Sequence, residues 1–234
     1  GADIVVHSLT KWFGGHGTGL GGVVVDSGKF NWAGGKHPLF DQPDASYHGL
    51  RWGHDLPAGL APLAYILRMR TVPLRNLGAC IAPANAWLFL QGIETLPLRM
   101  ERHCSNSLAV AQHLQSHAGV TWVRYPGLKN DPEYAKNQRY LAGKGGGMVV
   151  FGIKGGKTAG QKFIDHLKLF SHVANVGDAR SLAIHSATTT HSQLSESAQI
   201  AGGITADLVR LSIGLENIAD IIADLDQALA AATK

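Results

Sequence analysis

Two hydroxyl groups and one amine fall within four residues, at Ser8, Thr10 and Lys11. They directly follow the apolar residues 4–6, which predict a short buried strand, and ligands of α/β sheets bind beyond the carboxyl ends of strands. Hydroxyls can donate to a phosphate, and a desolvated lysine can form a Schiff base with an aldehyde. The pattern indicates a covalent site. A polar loop with a solvated lysine is the other interpretation.

The elements around this segment are predicted to hold it between two strands. Residues 3–7 predict one buried strand, 8–19 a polar, glycine-rich loop, and 22–25 a second strand. If residues 8–10 are extended, strand alternation places both hydroxyls on the same side. Residues 29–50 predict a long ordered loop of the kind that often determines specificity. Four of its rings are costly to leave in water, so we expect them to pack: Trp32, Phe40, Tyr47 and His48.

The rest of the chain predicts helices first and then a mixed domain. Apolar residues recur at helical spacing over 56–77, 84–92 and 98–117. Strands are then predicted at 120–125, 148–153 and 209–213, and helices at 158–169 and 217–231. Asn217 stands where the N-cap of the last helix is expected. These elements predict a small α/β domain with helices on one face of its sheet.

Composition narrows the class of protein. A chain of 234 residues, 45% of them hydrophobic, can bury the core of one large or two small domains. The net charge of +4 is not gathered into a basic stripe, which excludes nucleic acid as a predicted partner. No apolar stretch reaches the about 18 residues of a membrane span, so we expect a cytoplasmic protein and no membrane partner. The histidines lack metal-site spacing, so no metal is predicted. Cys80 and Cys104 are expected to be small buried residues.

Several sequence blocks resemble one known family. Ser8-Leu9-Thr10-Lys11, followed by Gly15-His16-Gly17, resembles the lysine motif of the Cys/Met metabolism pyridoxal-phosphate enzymes. Five further blocks resemble that family in the family's own order: Leu96–His103, Tyr125–Leu128, Phe170–Leu182, Thr190-His191 and Leu208–Glu216. Because independent blocks occur in order over essentially the whole chain, coincidence is far less probable than for one motif.

The resemblance implies a role for each matching residue. Lys11 is implied to be the lysine that bears pyridoxal 5'-phosphate, and Ser8 and Thr10 to bind its phosphate. Arg210 is implied to bind the α-carboxylate of an amino-acid substrate, for which a bidentate guanidinium is well shaped. Asn175 is implied to meet the same carboxylate, and Thr190 to lie near that pocket. Leu9 and Trp12 are bulkier than the family pattern leads us to expect.

The resemblance also implies a fold and an assembly. The implied fold is the α/β fold of aspartate aminotransferase-like, fold type I pyridoxal-phosphate transferases. Residues 1–103 would form the C-terminal part of the large cofactor-binding domain, ending in a bridging helix, and residues 104–234 the small C-terminal α/β domain. The family's ring-stacking aromatic and ring-nitrogen aspartate lie upstream of the lysine, so we expect an N-terminal part to be missing. A homotetramer is implied.

The choice of reaction depends on the long loop. Residues 27–49 resemble an insertion of the O-acetylhomoserine sulfhydrylases, whereas lyases of the family are shorter there. The resemblance thus implies γ-replacement on O-acetylhomoserine by sulfide or a thiol, giving homocysteine or methionine and acetate. Other reactions of the family, namely those of cystathionine γ-synthase, the cystathionine lyases and methionine γ-lyase, remain alternatives. So do an inert fragment, a split enzyme whose N-terminal portion is a separate chain, and an unrelated α/β binding domain.

Overall fold

The computed structural model describes residues 1–233. They divide into two compact units, residues 1–9 with 19–87 and residues 10–18 with those from 88 onward. The domain boundary that the family resemblance implies, between residues 103 and 104, stays a prediction.

The first unit begins with a two-stranded antiparallel sheet. Its strands are β1 (Ile4–Ser8) and β2 (Gly22–Asp26), close to the predicted ranges, but the predicted burial of the first strand is wrong, since every residue of β1 after Ile4 is exposed. Short helices follow, α1 (Pro38–Asp41), α2 (Ala64–Met69) and α3 (Arg75–Leu77), with further helical turns at Ala45–Tyr47, Ala61–Leu63 and Arg70–Leu74. Helix α4 (Pro83–Glu94) starts in this unit and ends in the second.

The sequence predicted one continuous helix over residues 56–77, and this prediction is wrong. The segment is broken into short helices and turns that begin only at Ala61. Pro62 lies in the first turn and Pro73 inside the later one. Proline has no N–H to donate and collides with the preceding turn, so an uninterrupted α-helix cannot form across these positions.

The long loop is ordered, as predicted from its rings. Trp32 stacks on Phe40 with ring centroids 4.1 Å apart and on Tyr65 at 5.4 Å. Tyr47 contacts Trp52 at 5.0 Å, and the Trp52 indole N–H donates to Asp44 at 2.9 Å. These rings form the small core of the first unit. The prediction fails only for the fourth ring of the loop, His48, whose side chain is exposed.

The second unit contains most of the regular structure. Its helices are α5 (Leu96–Ser116), α6 (Tyr134–Leu141), α7 (Gly156–His166), α8 (Glu196–Ala201) and α9 (Ile218–Ala232). Its strands are β3 (Val120–Arg124), β4 (Met148–Ile153), β5 (Ser171–His172), β6 (Leu182–His185) and β7 (Leu208–Ser212). Asn217 caps α9 as predicted, because its side chain accepts a hydrogen bond from Ala219 N–H at 3.0 Å.

One sheet organises this unit, in the order β3-β4-β7-β6-β5, with only the β5–β6 pair parallel. Alternate residues of β4 and β7, such as Phe151, Val209 and Leu211, are fully buried in a core with side chains of α5, α7 and α9. The intervening residues, Arg210 and Ser212, therefore lie on the opposite face of the central strand. This alternation separates the core from the candidate site.

Neither cysteine is as buried as the composition led us to expect. Cys80 is exposed and Cys104 is half-buried. Burial raises the pKa of the Cys104 thiol, which keeps it protonated. Among the residues that the structure describes, no helix has the length and apolar character of a membrane span, and no three His, Cys, Asp or Glu side chains are grouped to bind a metal.

We predict that Phe40→Ala destabilises the protein far more than Leu39→Ala. The Phe40 ring is 7% exposed beneath Trp32, whereas the neighbouring Leu39 side chain is 64% exposed. Removing the buried ring should cost about 3–5 kcal/mol, and truncating Leu39 about 0.5 kcal/mol or less. Equilibrium denaturation of both variants measures the difference. Equal losses would contradict the packing of this loop.

Candidate active site

The candidate lysine lies in a turn that directly follows the first strand. β1 ends at Ser8, and Leu9–Phe13 form a short helical turn interrupted at Lys11, whose φ of −94° and ψ of −126° are not helical. The Lys11 carbonyl accepts a hydrogen bond from Gly15 N–H at 2.8 Å. Because the segment is folded and not extended, the alternation argument for placing both predicted hydroxyls on one side does not apply.

Three predicted site residues come together in the second unit. The Lys11 ammonium donates a hydrogen bond to the side-chain oxygen of Asn175. The Arg210 guanidinium donates to the backbone carbonyl of Asn175 at 3.4 Å. All three residues are half-buried. Asn175 thus meets the amine with its side chain and the guanidinium with its backbone.

The Arg210 guanidinium is suited to binding an anion. It extends from the central strand on the face opposite the core, and burial lowers its pKa from the ordinary arginine value. Within residues 1–233 no carboxylate lies at ion-pairing distance from it. A partly desolvated guanidinium with donors to spare can hold a carboxylate by two parallel hydrogen bonds.

The loop that contains Asn175 is fixed to the same strand. The Ser212 hydroxyl, two residues beyond Arg210 and on the same face, accepts a hydrogen bond from Gly177 N–H at 3.2 Å. Gly177 is buried with a φ of +77°, and a Cβ there would lie 2.6 Å from the Trp12 backbone nitrogen. The glycine therefore permits the backbone of the lysine turn to approach the loop closely.

The bulky Trp12 is accommodated by glycines. A Cβ on Gly147 would overlap its indole, as one on Gly177 would touch the same ring. The indole also meets the His103 ring edge-on, with centroids 4.9 Å apart. His103 is fully buried against the Ile213 carbonyl, and burial lowers its pKa, so the imidazole is neutral at pH 7. The residue following Lys11 is thereby packed on several sides.

Sequence reasoning gave no role to Arg99, although it lies in the quoted block Leu96–His103. Its buried guanidinium donates to the carbonyl oxygens of Trp12 at 2.8 Å and Phe13 at 3.0 Å. These contacts join positions more than 80 residues apart, so helical spacing could not reveal them. The only available signal was a charged residue in a helix that the sequence predicts to be packed.

Two carboxylates hold the segment after Gly177, one on the buried Asp178 and one on the half-buried Glu216. Asp178 accepts hydrogen bonds from the Arg180 side chain, including one from Nε at 3.2 Å. Burial pushes the pKa of Asp178 upward, but these bonds and the positive charge of Arg180 outweigh it and leave the pKa below its usual value. Glu216 accepts hydrogen bonds from Ser181 N–H at 2.6 Å and from the Ser181 hydroxyl at 2.9 Å. Together with the hydrogen bond from Arg210 to the Asn175 carbonyl, these contacts hold the loop on both sides of its glycine.

The structure places the other three predicted site residues at separate points of the chain. Ser8 is exposed at the end of β1, in the first unit, and Thr10 is half-buried where the second unit begins. The exposed Thr190 hydroxyl lies 2.9 Å from Nδ1 of its neighbour His191. The roles of Ser8, Thr10 and Thr190 therefore stay predictions.

We predict that Gly177→Ala is more destabilising than Gly203→Ala. Both glycines have a φ of +77°, where alanine costs about 1–2 kcal/mol. A Cβ at Gly203 meets nothing within 4 Å, whereas one at Gly177 strikes the Trp12 backbone. Overpacking should add about 1–3 kcal/mol at Gly177 alone. Equilibrium unfolding of the pair isolates that contact, and equal losses would argue against it.

Comparison with known proteins shows the family to which the chain belongs. The family model described as Cys/Met metabolism PLP-dependent enzyme matches residues 1–230. The O-acetyl-L-homoserine sulfhydrylase of Leptospira meyeri is 56% identical, with 98% of this chain aligned to 53% of the relative. O-acetyl-L-homoserine sulfhydrylase 1 of Thermus thermophilus is 49% identical, with 98% aligned to 54%. The chain thus spans about half the length of the curated relatives it matches.

A solved structure gives the same result. It is the crystal structure of a Campylobacter jejuni protein designated O-acetylhomoserine (thiol)-lyase, which contains a pyridoxyl-lysine monophosphate residue. The TM-score is 0.89 at 42% sequence identity, over 98% of this chain and 54% of that one. The predicted fold class is confirmed as the α/β, fold type I class of pyridoxal-phosphate transferases. The chain belongs to the Cys/Met metabolism family of pyridoxal-phosphate-dependent enzymes.

Proposed function

We propose that the protein catalyses γ-replacement on O-acetylhomoserine, in which sulfide or a thiol displaces acetate to give homocysteine or methionine. The observation that carries this proposal is the grouping of Lys11, Asn175 and Arg210. A nucleophilic amine beside a guanidinium that can hold a carboxylate is what an enzyme acting on amino acids requires. The names of the relatives support the choice of O-acetylhomoserine.

The side chains present fit pyridoxal 5'-phosphate, the cofactor of the family. The Lys11 amine would hold the cofactor covalently, and the hydroxyls of Ser8 and Thr10 would donate to its phosphate. The bound cofactor supplies an electron sink for the charge that develops at Cα of the substrate. Lys11 is half-buried and hydrogen-bonded to the neutral amide of Asn175. Such an amine is held in place without being locked in an ion pair.

The substrate would be oriented by its α-carboxylate. Arg210 would bind both carboxylate oxygens, for which its fork of N–H groups is matched. The Asn175 side chain, which contacts Lys11, would turn toward the same carboxylate when the amine is engaged elsewhere. Thr190 would line the neighbouring part of the pocket. This arrangement brings Cα of the substrate toward the lysine amine.

Lys11 would move the protons of the reaction. Its free amine would take the proton from Cα as general base, would pass that proton to the electron-accepting system that the cofactor would supply, and would then take a second proton from Cβ. Loss of the Cβ proton would accompany cleavage of the Cγ–O bond and release of acetate. Sulfide or a thiol would then form the Cγ–S bond, and Lys11 would return protons to Cβ and Cα. One residue thus serves every proton transfer at carbon.

The ordered loop supports replacement over elimination. Residues 29–50 pack through rings such as Trp32 and Phe40 into a defined core. Loops on a rigid scaffold often determine specificity, and we propose that this one favours replacement at Cγ. A loop that does not affect the product would return the choice to the other family reactions.

We further propose the wider organisation from the family resemblance. Residues 1–103 would belong to the large domain and 104–234 to the small one, and the enzyme would act as a cytoplasmic homotetramer on a small amino-acid substrate. Native mass spectrometry of the purified protein tests the assembly. A second, different polypeptide in the complex would instead support a split enzyme.

We predict that Lys11→Ala abolishes covalent cofactor binding and lowers kcat by at least about 10²–10⁴-fold, because it removes both the attachment point and the base. Lys162→Ala, at an exposed position of α7, is the matched control. Visible absorbance and borohydride reduction followed by peptide mass mapping give the readout on the holoenzyme. Turnover retained by the Lys11 variant would refute the assignment.

We predict that Arg210→Lys raises KM by about 10–100-fold and leaves the visible absorbance of the bound cofactor unchanged. An ammonium cannot reproduce two parallel hydrogen bonds to a carboxylate, each worth about 1.5–3 kcal/mol when charged. Arg139→Lys, exposed on α6, should leave KM unaltered. Steady-state kinetics with O-acetylhomoserine decides the matter, and an unchanged KM for Arg210→Lys would point to another carboxylate site.

A further inference from the structure

Arg99 is buried and held by several hydrogen bonds within the protein, unlike an arginine on the surface. It lies in the first turn of α5, its side chain is buried, and the residue is 6% exposed. Its Nη1 donates to the Trp12 carbonyl at 2.8 Å, and its Nη2 donates to the carbonyls of Phe13 at 3.0 Å and Gly92 at 2.6 Å. Its Nε donates to the Thr95 hydroxyl at 3.1 Å. Every nitrogen of the guanidinium is engaged.

The charge of Arg99 is balanced by carbonyl dipoles. In the chain from residue 1 to 233, no Asp or Glu carboxylate forms an ion pair with it. Burial lowers the pKa of the guanidinium from its ordinary value. Burying a cation without a counter-ion is costly, whereas an apolar side chain would pack there without that cost. The buried arginine is therefore stabilised by the hydrogen bonds that its N–H groups donate.

Two glycines shape the space around those donors. A Cβ on Gly15 would overlap Nη1 of Arg99, and a Cβ on Gly92 would overlap the Phe13 carbonyl and lie 2.6 Å from the Gly14 carbonyl. The guanidinium and the carbonyls it binds are therefore closed in by backbone. Neither the guanidinium nor the bound carbonyls can shift far without a clash, so the contact determines where these groups lie as well as stabilising them.

The carbonyls that Arg99 holds belong to the two residues directly after Lys11. The backbone leaves helical geometry at Lys11, whose own carbonyl accepts a hydrogen bond from Gly15 N–H at 2.8 Å. Carbonyls buried at such a place need donors from elsewhere. These bonds restrain the Trp12–Phe13 and Phe13–Gly14 peptide groups, which limits how far the backbone at Lys11 can move.

We propose that Arg99 is a positioning residue for Lys11, an inference that rests on the proposed role of Lys11. Its guanidinium clamps the two peptide groups after the lysine and so sets where Nζ lies relative to Asn175 and Arg210. Because its nitrogens already bind groups of the chain itself, we assign it no contact with the substrate or the cofactor. Its loss should impair the reaction of Lys11 at carbon more than the binding of the amino acid through Arg210.

The test uses the holoenzyme with Arg99→Met and Arg99→Lys, and Arg102→Met as the matched control on the exposed side of the same helix. We expect Arg99→Met to lower kcat by about 10²-fold, the usual effect of a misplacement near 1 Å, with KM changed much less. Arg99→Lys, which keeps the charge but cannot span two carbonyls, should fall between. Arg102→Met should match the wild type.

Two further readouts separate positioning from stability alone. Borohydride reduction followed by peptide mapping should show slower and less complete fixation of the cofactor on Lys11 in the Arg99 variants. Ethylguanidinium at millimolar concentration should restore part of kcat to a third variant, Arg99→Ala, and should leave the kcat of Arg102→Met unchanged. If the larger changes prevent folding, Thr95→Val, which removes the acceptor that orients Nε, should still lower kcat a few-fold.

The outcomes distinguish failure of this inference from failure of the proposed function. Wild-type holoenzyme that fixes its cofactor on another lysine would refute the role of Lys11 and with it the proposal for Arg99. Fixation on Lys11 with Arg99 variants that melt at lower temperature, yet keep kcat and the fixation rate per folded molecule, would overturn the positioning role alone.

Discussion

The candidate site depends on one constraint, which is that the polar backbone of the lysine turn must be satisfied away from water. The turn leaves helical geometry at Lys11, and each of its carbonyls that is removed from water needs a donor. Arg99 supplies donors to two of them, and Gly15 N–H supplies a third. Without those donors the turn would be free to move, and the amine would have no defined position.

The central strand β7 serves both the core and the candidate site, because successive side chains point to opposite faces of the sheet. One set of side chains, including Val209 and Leu211, joins the core beneath the helices. The other set, Arg210 and Ser212, holds the loop from Asn175 to Gly177. The same five residues thus anchor the strand by apolar burial and the site by hydrogen bonds, so the position of the arginine is tied to the stability of the sheet.

The sequence predicted elements where a local pattern was sufficient. Strand β4 was predicted at its observed bounds, because it is an apolar run bounded by glycines and a turn. Strand β6 was not predicted, since its four residues are all buried and show no alternation. The matching blocks identified Lys11, Asn175 and Arg210, which the structure groups.

What the sequence could not provide are contacts between distant positions. The Arg99 clamp requires the fold that brings α5 to the lysine turn, and no spacing along the chain encodes it. The expected burial of Cys80 failed for a related reason, because average burial of a residue type does not specify its place in one fold. Gly177 lies within the matching block Phe170–Leu182, but the reason that this position requires glycine is its close contact with Trp12, which only the structure shows.

The identity of residue 175 follows from its two contacts. Its side chain receives the Lys11 ammonium, and its backbone receives the Arg210 guanidinium. An aspartate at this place would attract both cations and hold them as ion pairs, which would keep the amine protonated and occupy the arginine with an internal carboxylate. An amide orients the amine by a hydrogen bond while adding no charge. The lysine is thus held without an ion pair, and the positive charge of Arg210 stays available for the substrate carboxylate that we propose it binds.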